Sequence, residues 1–193
     1  EVKGNEINGT FSYDKLVIAV GGKSFVPNIE GYSPNLENVF TLSHAESAFK
    51  IKEYLTQNKK KLKNAVVIGA GFVGIEMAES FQKNGLDVTV IEKAKEIFPT
   101  VSENLKEKIY KKFEEKDINL KLNSGVVAIN SKNNVAKSVK LDSSENIDFD
   151  IALFSIGVTP NIDFLPKTLK TDSGKIIVND KFETNIDDVY AIG

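Results

Sequence analysis

Cysteine and arginine are both absent from this sequence of 193 residues, and each absence excludes a kind of site. Without cysteine, no disulfide, thiolate ligand or iron–sulfur cluster can form within these residues. Without arginine, no guanidinium group is available for bidentate hydrogen bonding to a carboxylate or a phosphate. One histidine, His44, makes neither a metal site nor a catalytic triad, so we expect it to cap a helix or lie at the surface. The residue types therefore predict no metal site.

The sequence also lacks a strong charge of either sign and a long apolar run. Its formal net charge is −2, with 41% hydrophobic and 27% charged residues, which is typical of a globular protein. Nothing in this balance favours a nucleic acid or an anionic membrane as a partner. No apolar run approaches the roughly 18 residues of a membrane span. We therefore expect a cytoplasmic globular protein without a nucleic-acid or membrane partner.

Strands and helices alternate in the middle of the chain, and this alternation predicts the fold class. Buried strands are predicted at 65–68, 88–91 and 118–122, and helices at 72–83 and 102–115. Strand–helix–strand units of this length form right-handed parallel crossovers. We therefore predict an α/β fold built on a Rossmann-type parallel sheet.

The segment before this alternation contains predicted strands and one helix. Two short strands are predicted from Thr10 to Gly22, and a Pro/Asn/Gly-rich connector follows them. Apolar spacing then predicts a helix over 43–58, with Ser43 as its N-cap. The lysines within 59–63 indicate the solvated end of that helix rather than an anion site.

The segment after the alternation changes to a pattern typical of antiparallel strands. The stretches 126–129, 136–141 and 147–154 alternate with Asn-rich turns. This pattern predicts an antiparallel β-meander, which would serve as a crossover within the parallel sheet. A further buried strand is predicted at 189–192.

A glycine-rich turn connects the strand at 65–68 to its helix. It reads Gly69-Ala70-Gly71-Phe72-Val73-Gly74, which fits the pattern G-x-G-x-x-G. Gly69 permits a tight turn, Gly71 lets the backbone approach a pyrophosphate, and Gly74 lets helix and strand pack closely. The amides at the helix start and the helix dipole both favour a phosphate there. This context predicts a dinucleotide-binding loop, with a turn that binds no ligand as the simpler alternative.

A carboxylate at the end of the second strand bears on the choice of cofactor. Glu92 follows the glycine-rich turn by about twenty residues, where it is placed to accept hydrogen bonds from the adenosine ribose hydroxyls. A carboxylate repels a 2′-phosphate, and an NADP site usually supplies an arginine instead. NAD(H) is therefore predicted over NADP(H). Lys93 and Lys95 are close enough in sequence to leave NADP(H) as the alternative.

Two glutamates lie on the helix that follows the glycine-rich turn. Glu76 is two residues past Gly74, and from local sequence it either contacts a ligand or complements the helix N-terminus. Glu79 has Lys83 four residues on, which predicts a solvated ion pair. Of the two, Glu76 is the candidate site residue.

Three further segments resemble motifs of one protein family. Residues 13–21 are similar to the Y-D-x-L-V-I-A-T-G segment of the pyridine nucleotide-disulfide oxidoreductases. Residues 156–161 resemble their I-G-x-x-P-N segment, and residues 188–193 their V-Y-A-I-G-D segment without its final aspartate. The resemblance covers essentially the whole chain, and its spacing is most similar to the branch of NADH oxidases, NADH peroxidases and coenzyme A-disulfide reductases.

The resemblance implies that NADH would pass a hydride to FAD, which would then reduce a cysteine, a disulfide or oxygen. Phe72 would match the hydrophobic or aromatic family residue that fronts the flavin when nicotinamide is absent, although the helical pattern alone predicts a core residue there. Glu76 would match a glutamate near the nicotinamide carboxamide. The other implied positions are Gly157 and Asn161 at the nicotinamide end, and Gly21 and Gly193 on the FAD side.

The resemblance also implies that the chain is one part of a three-layer FAD/NAD(P)-binding protein. Residues 1–35 would be a stub of a discontinuous FAD-binding domain with a connector, residues 36–160 the NAD-binding Rossmann domain, and residues 161–193 a return segment and second stub. The stub segments 1–22 and about 175–193 would pair with each other. The redox cysteine and the dimerisation domain would lie outside the chain, so we expect no catalytic residue in it and a homodimeric full-length protein.

Two other functions fit part of the pattern. A non-catalytic NAD(H)-sensing module would also bind the dinucleotide at the glycine-rich turn. A methyltransferase likewise uses a glycine loop and an acid after the second strand. The methyltransferase interpretation does not account for the segments around Gly21, Pro160 and Tyr190.

Overall fold

A computed structural model describes residues 12–193. These residues form two compact units, one of residues 24–158 and one of residues 12–23 together with 159–193. Thr10, where the sequence predicts the first strand to begin, lies outside the described residues. Each unit is described by itself below.

Short strands and three helices make up the regular structure of residues 12–193. The helices are α1 (Ala45–Asn58), α2 (Phe72–Lys83) and α3 (Glu103–Glu115). The strands up to α3 are β1 (Leu16–Ile18), β2 (Gly22–Ser24), β3 (Val39–Thr41), β4 (Asn64–Ile68) and β5 (Asp87–Ile91). The strands after α3 are β6 (Asn119–Lys121), β7 (Val126–Lys132), β8 (Val135–Leu141), β9 (Asn146–Asp148), β10 (Ile151–Phe154), β11 (Val158–Pro160), β12 (Thr171–Asp172), β13 (Lys175–Ile176) and β14 (Val189–Ala191).

A five-stranded parallel sheet in the order β3-β10-β4-β5-β6 forms the centre of the larger unit. Its central strands are buried on both faces, as parallel strands generally are; Val66, Val67 and Leu153 are at most 1% exposed. One hydrophobic cluster packs the sheet against the helices, and a second packs it against the antiparallel sheet β7-β8-β9. The unit therefore has three layers, and the predicted Rossmann-type fold with a meander is confirmed.

The residues of α2 show why this segment is a helix packed on the sheet. Gly74, Ala78 and Phe81 are its buried residues, and they recur at the spacing of one helix face. Phe72 is different, because 75% of its side chain is exposed. The core position that the helical pattern alone predicts for Phe72 is therefore wrong.

The sequence prediction is also wrong for residues 147–154, which do not form one strand of the meander. The chain leaves the antiparallel sheet after β9, and β10 enters the parallel sheet between β3 and β4. Asp150 fixes this turn, since its carboxylate accepts hydrogen bonds from the amides of Lys63 (2.8 Å) and Asn64 (2.9 Å). All four residues of β10 are buried, as a central strand requires.

The first helix begins two residues after the position that the sequence suggested. Its N-cap is His44 rather than Ser43, because the His44 carbonyl accepts the first helical hydrogen bonds, from the amides of Ser47 (3.0 Å) and Ala48 (3.3 Å). The His44 side chain is exposed and makes no capping hydrogen bond. The expectation that His44 lies at a cap or at the surface is confirmed.

The smaller unit is built around a parallel pair of strands. β1 pairs with β14 in the register Leu16 with Val189 and Ile18 with Ala191. The buried residues of this unit's core cluster are Ile18, Leu169, Val189 and Ala191. The predicted pairing between the two terminal segments is therefore present in residues 16–18 and 189–191. No helix within residues 12–193 has the length and apolar character needed to cross a bilayer.

Candidate functional site

The glycine-rich turn lies at the carboxyl end of β4, in the middle of the parallel sheet. The neighbouring strands β5 and β10 hold it by backbone hydrogen bonds. The amide of Gly69 donates to the carbonyl of Ile91 (2.8 Å), and the amide of Ser155 donates to the carbonyl of Ile68 (2.7 Å). Ligands of open α/β sheets bind beyond the carboxyl ends of the strands, so this edge is the place to look for a site.

The three glycines of the turn have different surroundings. Gly69 has a φ of +103°, and a Cβ there would lie 2.3 Å from the Ser155 carbonyl oxygen. A Cβ on Gly74 would lie 2.0 Å from the Gly69 carbonyl oxygen. Gly71 has an ordinary φ of −75°, and the nearest atom to a Cβ there is the Ser155 oxygen at 4.0 Å. The fold therefore requires glycine at 69 and 74, but not at 71.

The first amides of α2 lie within the glycine-rich turn. Gly71 is the N-cap and has no side chain to accept a hydrogen bond. Among the hydrogen bonds of residues 12–193, none is donated by the amides of Gly71, Phe72 or Val73. Such amides, together with the positive end of the helix dipole, attract an anion.

Glu92 follows β5 and is hydrogen-bonded to two backbone segments. Its Oε2 accepts a hydrogen bond from the amide of Ala70 (2.8 Å), and its Oε1 accepts one from the amide of Ala94 (2.8 Å). Each carboxylate oxygen can accept a further hydrogen bond, so both remain usable by a ligand hydroxyl. Lys93 and Lys95 are exposed beside it. The predicted role of Glu92 and Lys93 in cofactor binding stays a prediction.

Two aromatic side chains meet at the start of α2. The ring centroids of Phe72 and Phe98 are 4.5 Å apart, with the planes tilted by 30°. Phe98 is half-buried against the core cluster on the helix side, and its φ of +44° is unusual for a bulky residue. The sequence analysis did not identify Phe98, because only the tertiary fold brings positions 72 and 98 together.

The two glutamates of α2 have different partners. Glu76 is exposed and is the fifth residue of the helix, just past its first turn, and residues 12–193 offer its carboxylate no hydrogen bond or ion pair. Glu79 pairs with Lys83 (3.1 Å), as predicted, and also with Lys116 at the end of α3 (2.9 Å). Hydrogen bonds from Lys116 and Lys83 hold the pKa of the Glu79 carboxyl below its ordinary value. Glu79 therefore joins two helices, whereas Glu76 remains available.

The other predicted positions are divided between the two units. Gly157 lies in the larger unit, shortly after β10, where it is exposed with a φ of +116°. Gly21, Asn161 and Gly193 lie in the smaller unit, in which the Asn161 amide donates to the Gly21 carbonyl (2.9 Å). Gly21 and Gly193 are exposed, with φ values of +64° and +113°. In the larger unit, the structure brings together residues 69–74 and Glu92.

Ser155 is a second residue that sequence reasoning missed. Its carbonyl oxygen is the nearest atom to the Cβ positions of both Gly69 and Gly71. The sequence analysis identified the motif at residues 156–161, and Ser155, which contacts the glycine-rich turn, is the residue directly before that motif. A groove of about 560 Å³ between α1 and α2 is not part of this site, because no residue from 69 to 76 lines it.

Comparison with known proteins gives one family for the whole chain. The family model for pyridine nucleotide-disulphide oxidoreductases matches residues 1–193. A NAD(P)H coenzyme A polysulfide/persulfide reductase of Pyrococcus horikoshii is 34% identical over 200 residues, covering 100% of this chain and 42% of the relative. A coenzyme A disulfide reductase of Staphylococcus haemolyticus is 31% identical, covering 94% of this chain and 39% of the relative.

A solved structure with a similar fold carries a bound nucleotide. The water-forming NADH oxidase of Lactobacillus brevis, bound to NADH, has a TM-score of 0.80 and 27% identity, covering 97% of this chain and 40% of that protein. The chain thus spans about two fifths of the length of the relatives it matches. The family match excludes the methyltransferase interpretation, which assigned the glycine loop to a different class of protein.

Proposed function

Because this chain belongs to the pyridine nucleotide-disulphide oxidoreductase family, we propose that residues 24–158 bind NAD(H) at the turn from Gly69 to Gly74. The observation that carries this proposal is the open face at Gly71. The fold does not require glycine at position 71. Its lack of a side chain leaves the backbone accessible beside the amides of Gly71, Phe72 and Val73, which have no acceptor among residues 12–193. A pyrophosphate group needs such a surface, because it is bulky, anionic and accepts several hydrogen bonds.

The adenosine half of the nucleotide would lie toward β5. Glu92 would accept hydrogen bonds from the ribose hydroxyls while its carboxylate keeps the bonds to Ala70 and Ala94. These two bonds fix the carboxylate beside the turn, so a 2′-phosphate would meet an oriented negative charge. Lys93 would lie at the rim of this end. We therefore propose NAD(H) rather than NADP(H) as the bound cofactor.

The nicotinamide half would lie in the opposite direction, toward the end of β10. Phe72, Glu76 and Gly157 are the residues of the larger unit that we assign to this end. Glu76 supports the assignment, since its exposed carboxylate could accept a hydrogen bond from a carboxamide. When bound, the reduced nicotinamide supplies a hydride for transfer to a flavin. The chain's own residues would bind and orient the dinucleotide for that transfer.

The whole protein would be an FAD-dependent oxidoreductase of the NADH oxidase or disulfide reductase type. We assign residues 1–35 and 161–193 to the FAD-binding domain and its connectors, with Gly21 and Gly193 on the FAD side, and residues 36–160 to the NAD-binding domain. Exposed glycines with positive φ leave the backbone open to a ligand, which supports that assignment. Electrons would pass on to a cysteine, a disulfide or oxygen, and the full-length protein would be a homodimer.

Calorimetric titration of the purified protein with NAD⁺ and NADP⁺ tests the cofactor assignment, because the oxidised nucleotides bind without turnover. We expect NAD⁺ to bind at least about tenfold more tightly than NADP⁺. In the variant Glu92→Gln, which removes the charge at constant size, this preference should fall to about threefold or less. Glu107→Gln is the control, since Glu107 is exposed on α3. An unchanged preference in Glu92→Gln would contradict the assigned role of Glu92.

A further inference from the structure

The ion pair between Lys106 on α3 and Glu96 in the loop after β5 goes beyond the cofactor assignment. We propose that Lys106 and Glu96 are positioning residues for cofactor choice: they anchor the loop of residues 92–98, and the anchored loop holds the carboxylate of Glu92 in place for the ribose hydroxyls. This proposal rests on the proposed function, because it concerns the preference for NAD(H) that we assign to Glu92.

Lys106 lies on the buried face of α3, where a lysine is unexpected. Lys106 and Phe113 are the buried residues of this helix, and the partly buried Ile109 and Tyr110 lie on the same face at helical spacing. The side chain of Lys106 is only 3% exposed. As the fourth residue of α3, it also brings a positive charge to the positive end of the helix dipole. An apolar residue would suit both conditions better, so the stability of α3 does not explain the lysine.

The Lys106 ammonium binds two carboxylates that differ in their location. It donates to Oε2 of Glu96 (2.8 Å) and to Oε1 of Glu103 (2.9 Å). Glu103 lies three residues before Lys106 on α3, so this bond stays within the helix. Glu96 lies ten residues before Lys106, in the loop. Of these two bonds, the one to Glu96 is therefore the one that ties the loop to the helix.

The anchored loop leads back to Glu92 over four residues. Ile97, directly after Glu96, is 1% exposed. Nearer to Glu92, the amide of Ala94 donates to Glu92 Oε1 (2.8 Å), and the carbonyl of Ala94 accepts from the amide of Asn123 (2.8 Å). The ion pair thus restrains the segment that gives Glu92 one of its two backbone hydrogen bonds. A looser loop would let the carboxylate sample more orientations, and a less oriented charge discriminates less against a 2′-phosphate.

Calorimetric titration of two matched variants with NAD⁺ and NADP⁺ tests this role. Glu96→Ala releases the loop, whereas Glu103→Ala removes the carboxylate within α3, and each variant leaves Lys106 one partner. We expect Glu96→Ala to reduce the preference for NAD⁺ by about two- to fivefold, the range expected for loss of a partly exposed ion pair. Glu103→Ala should keep the wild-type preference. In the Glu92→Gln background, Glu96→Ala should have no further effect.

Lys106→Met separates positioning from a direct effect of charge. Methionine suits the apolar face of α3, and the two carboxylates left behind are 43% and 80% exposed, so this variant should be as stable as wild type. Loss of a positive charge alone would raise the preference for NAD⁺, because a 2′-phosphate would be attracted less. Release of the loop should instead lower the preference, to about the value in Glu96→Ala. A raised preference in Lys106→Met would overturn the proposal.

Three further results would also overturn it: an unchanged preference in Glu96→Ala, an equal loss in Glu103→Ala, or a loss from Glu96→Ala that persists in the Glu92→Gln background. Hydrogen exchange at the amide of Ala94 gives a readout without ligand, and exchange should be faster in Glu96→Ala than in wild type. If exchange is faster but the wild-type protein does not prefer NAD⁺, the anchor is real and the cofactor assignment has failed, which overturns the positioning role as well.

Discussion

At the scale of single residues, Glu92 links the two loops that border the proposed cofactor. One carboxylate oxygen is bonded to the amide of Ala70 in the glycine-rich turn, and the other to the amide of Ala94 after β5. Both loops are therefore set by one side chain before any ligand binds. An acid at this position was expected from its spacing after the turn, whereas its two backbone partners depend on a side-chain conformation that sequence does not specify.

The glycine-rich turn gives a matched pair of substitutions that separates folding from binding. Gly74→Ala should lower the free energy of unfolding by about 3 kcal/mol or more, because its Cβ would lie 2.0 Å from the Gly69 carbonyl oxygen. Gly71→Ala should change it by only about 1 kcal/mol or less, the difference between glycine and alanine at an N-cap. Urea unfolding of both variants measures these changes.

For NAD⁺ affinity we expect the substitution at Gly71 to matter more than the one at Gly74, which is the reverse of the order expected for stability. We expect Gly71→Ala to fold normally and to weaken NAD⁺ binding by about tenfold or more, since a methyl group would stand where the pyrophosphate approaches. Calorimetry on the folded variant measures this loss. Wild-type NAD⁺ affinity in Gly71→Ala would show that the open face of the turn does not bind the nucleotide.

At the scale of secondary-structure elements, Asn38 joins the antiparallel sheet to the parallel sheet. Its side chain is 1% exposed; Nδ2 donates to the carbonyls of Ala136 and Asp150 (both 2.9 Å), and Oδ1 accepts from the Ala136 amide (2.8 Å). Asn38→Ala should lower the free energy of unfolding by about 3–5 kcal/mol, because the two buried backbone groups of Ala136 and the part-buried carbonyl of Asp150 lose their partners. Thermal unfolding checks this.

Asn35→Ala is the control for that change, because Asn35 is exposed and lies three residues away. It should alter stability by about 0.5 kcal/mol or less. Equal stability of the two variants would mean that the layers are joined by apolar packing alone. An asparagine in this segment reads as a turn residue in the sequence, so its role in joining β8 and β10 depends on tertiary structure.

The ion pairs of Glu79 join α2 to α3 and predict a pH dependence. Because Lys116 and Lys83 hold the pKa of Glu79 below its ordinary value of 4.5, the pairs stabilise the fold above about pH 4.5, and this contribution is lost as the pH falls through the lowered pKa. Glu79→Gln should therefore be less stable than wild type at pH 7, and the difference should shrink in acid. Urea unfolding of wild type and Glu79→Gln at pH 7 and in acid below about pH 4.5 measures this difference in stability.

The control for this experiment is Glu107→Gln, which changes an exposed glutamate on α3. Its stability relative to wild type should not vary with pH in the same way. A difference between Glu79→Gln and wild type that stays constant into acid would contradict the ion-pair explanation. The effect should also weaken at high salt, since Glu79 and its lysines are partly exposed.

The elements show which parts of the fold the sequence could predict. The unit β4-α2-β5 was predictable, because its apolar periods, its glycines and Glu92 all occur within about thirty residues. The place of β10 was not, because residues 147–154 read as one apolar stretch and its division depends on Asp150 binding the amides at 63 and 64. The contact of Phe72 with Phe98 was hidden for the same reason, since it depends on where the loop before α3 folds back.

At the scale of the whole molecule, the residues assigned to NAD(H) and to FAD are divided between the two units. Residues 69–74, Glu92 and Gly157 belong to the unit of residues 24–158, whereas Gly21, Asn161 and Gly193 belong to the other. The chain spans about two fifths of the length of its relatives. The central claim therefore concerns the larger unit, which would bind the dinucleotide through the amides at the start of α2.

Amide NMR spectra of the protein during titration with NAD⁺ test this claim most directly. The account predicts saturable shifts at the amides of Gly71, Phe72 and Val73, because these donors would bind the pyrophosphate. Smaller shifts are expected at Ala70 and Ala94, whose amides are bonded to Glu92. Saturable binding that leaves the amides of Gly71, Phe72 and Val73 unshifted would contradict the account, because the nucleotide would then bind elsewhere on the protein.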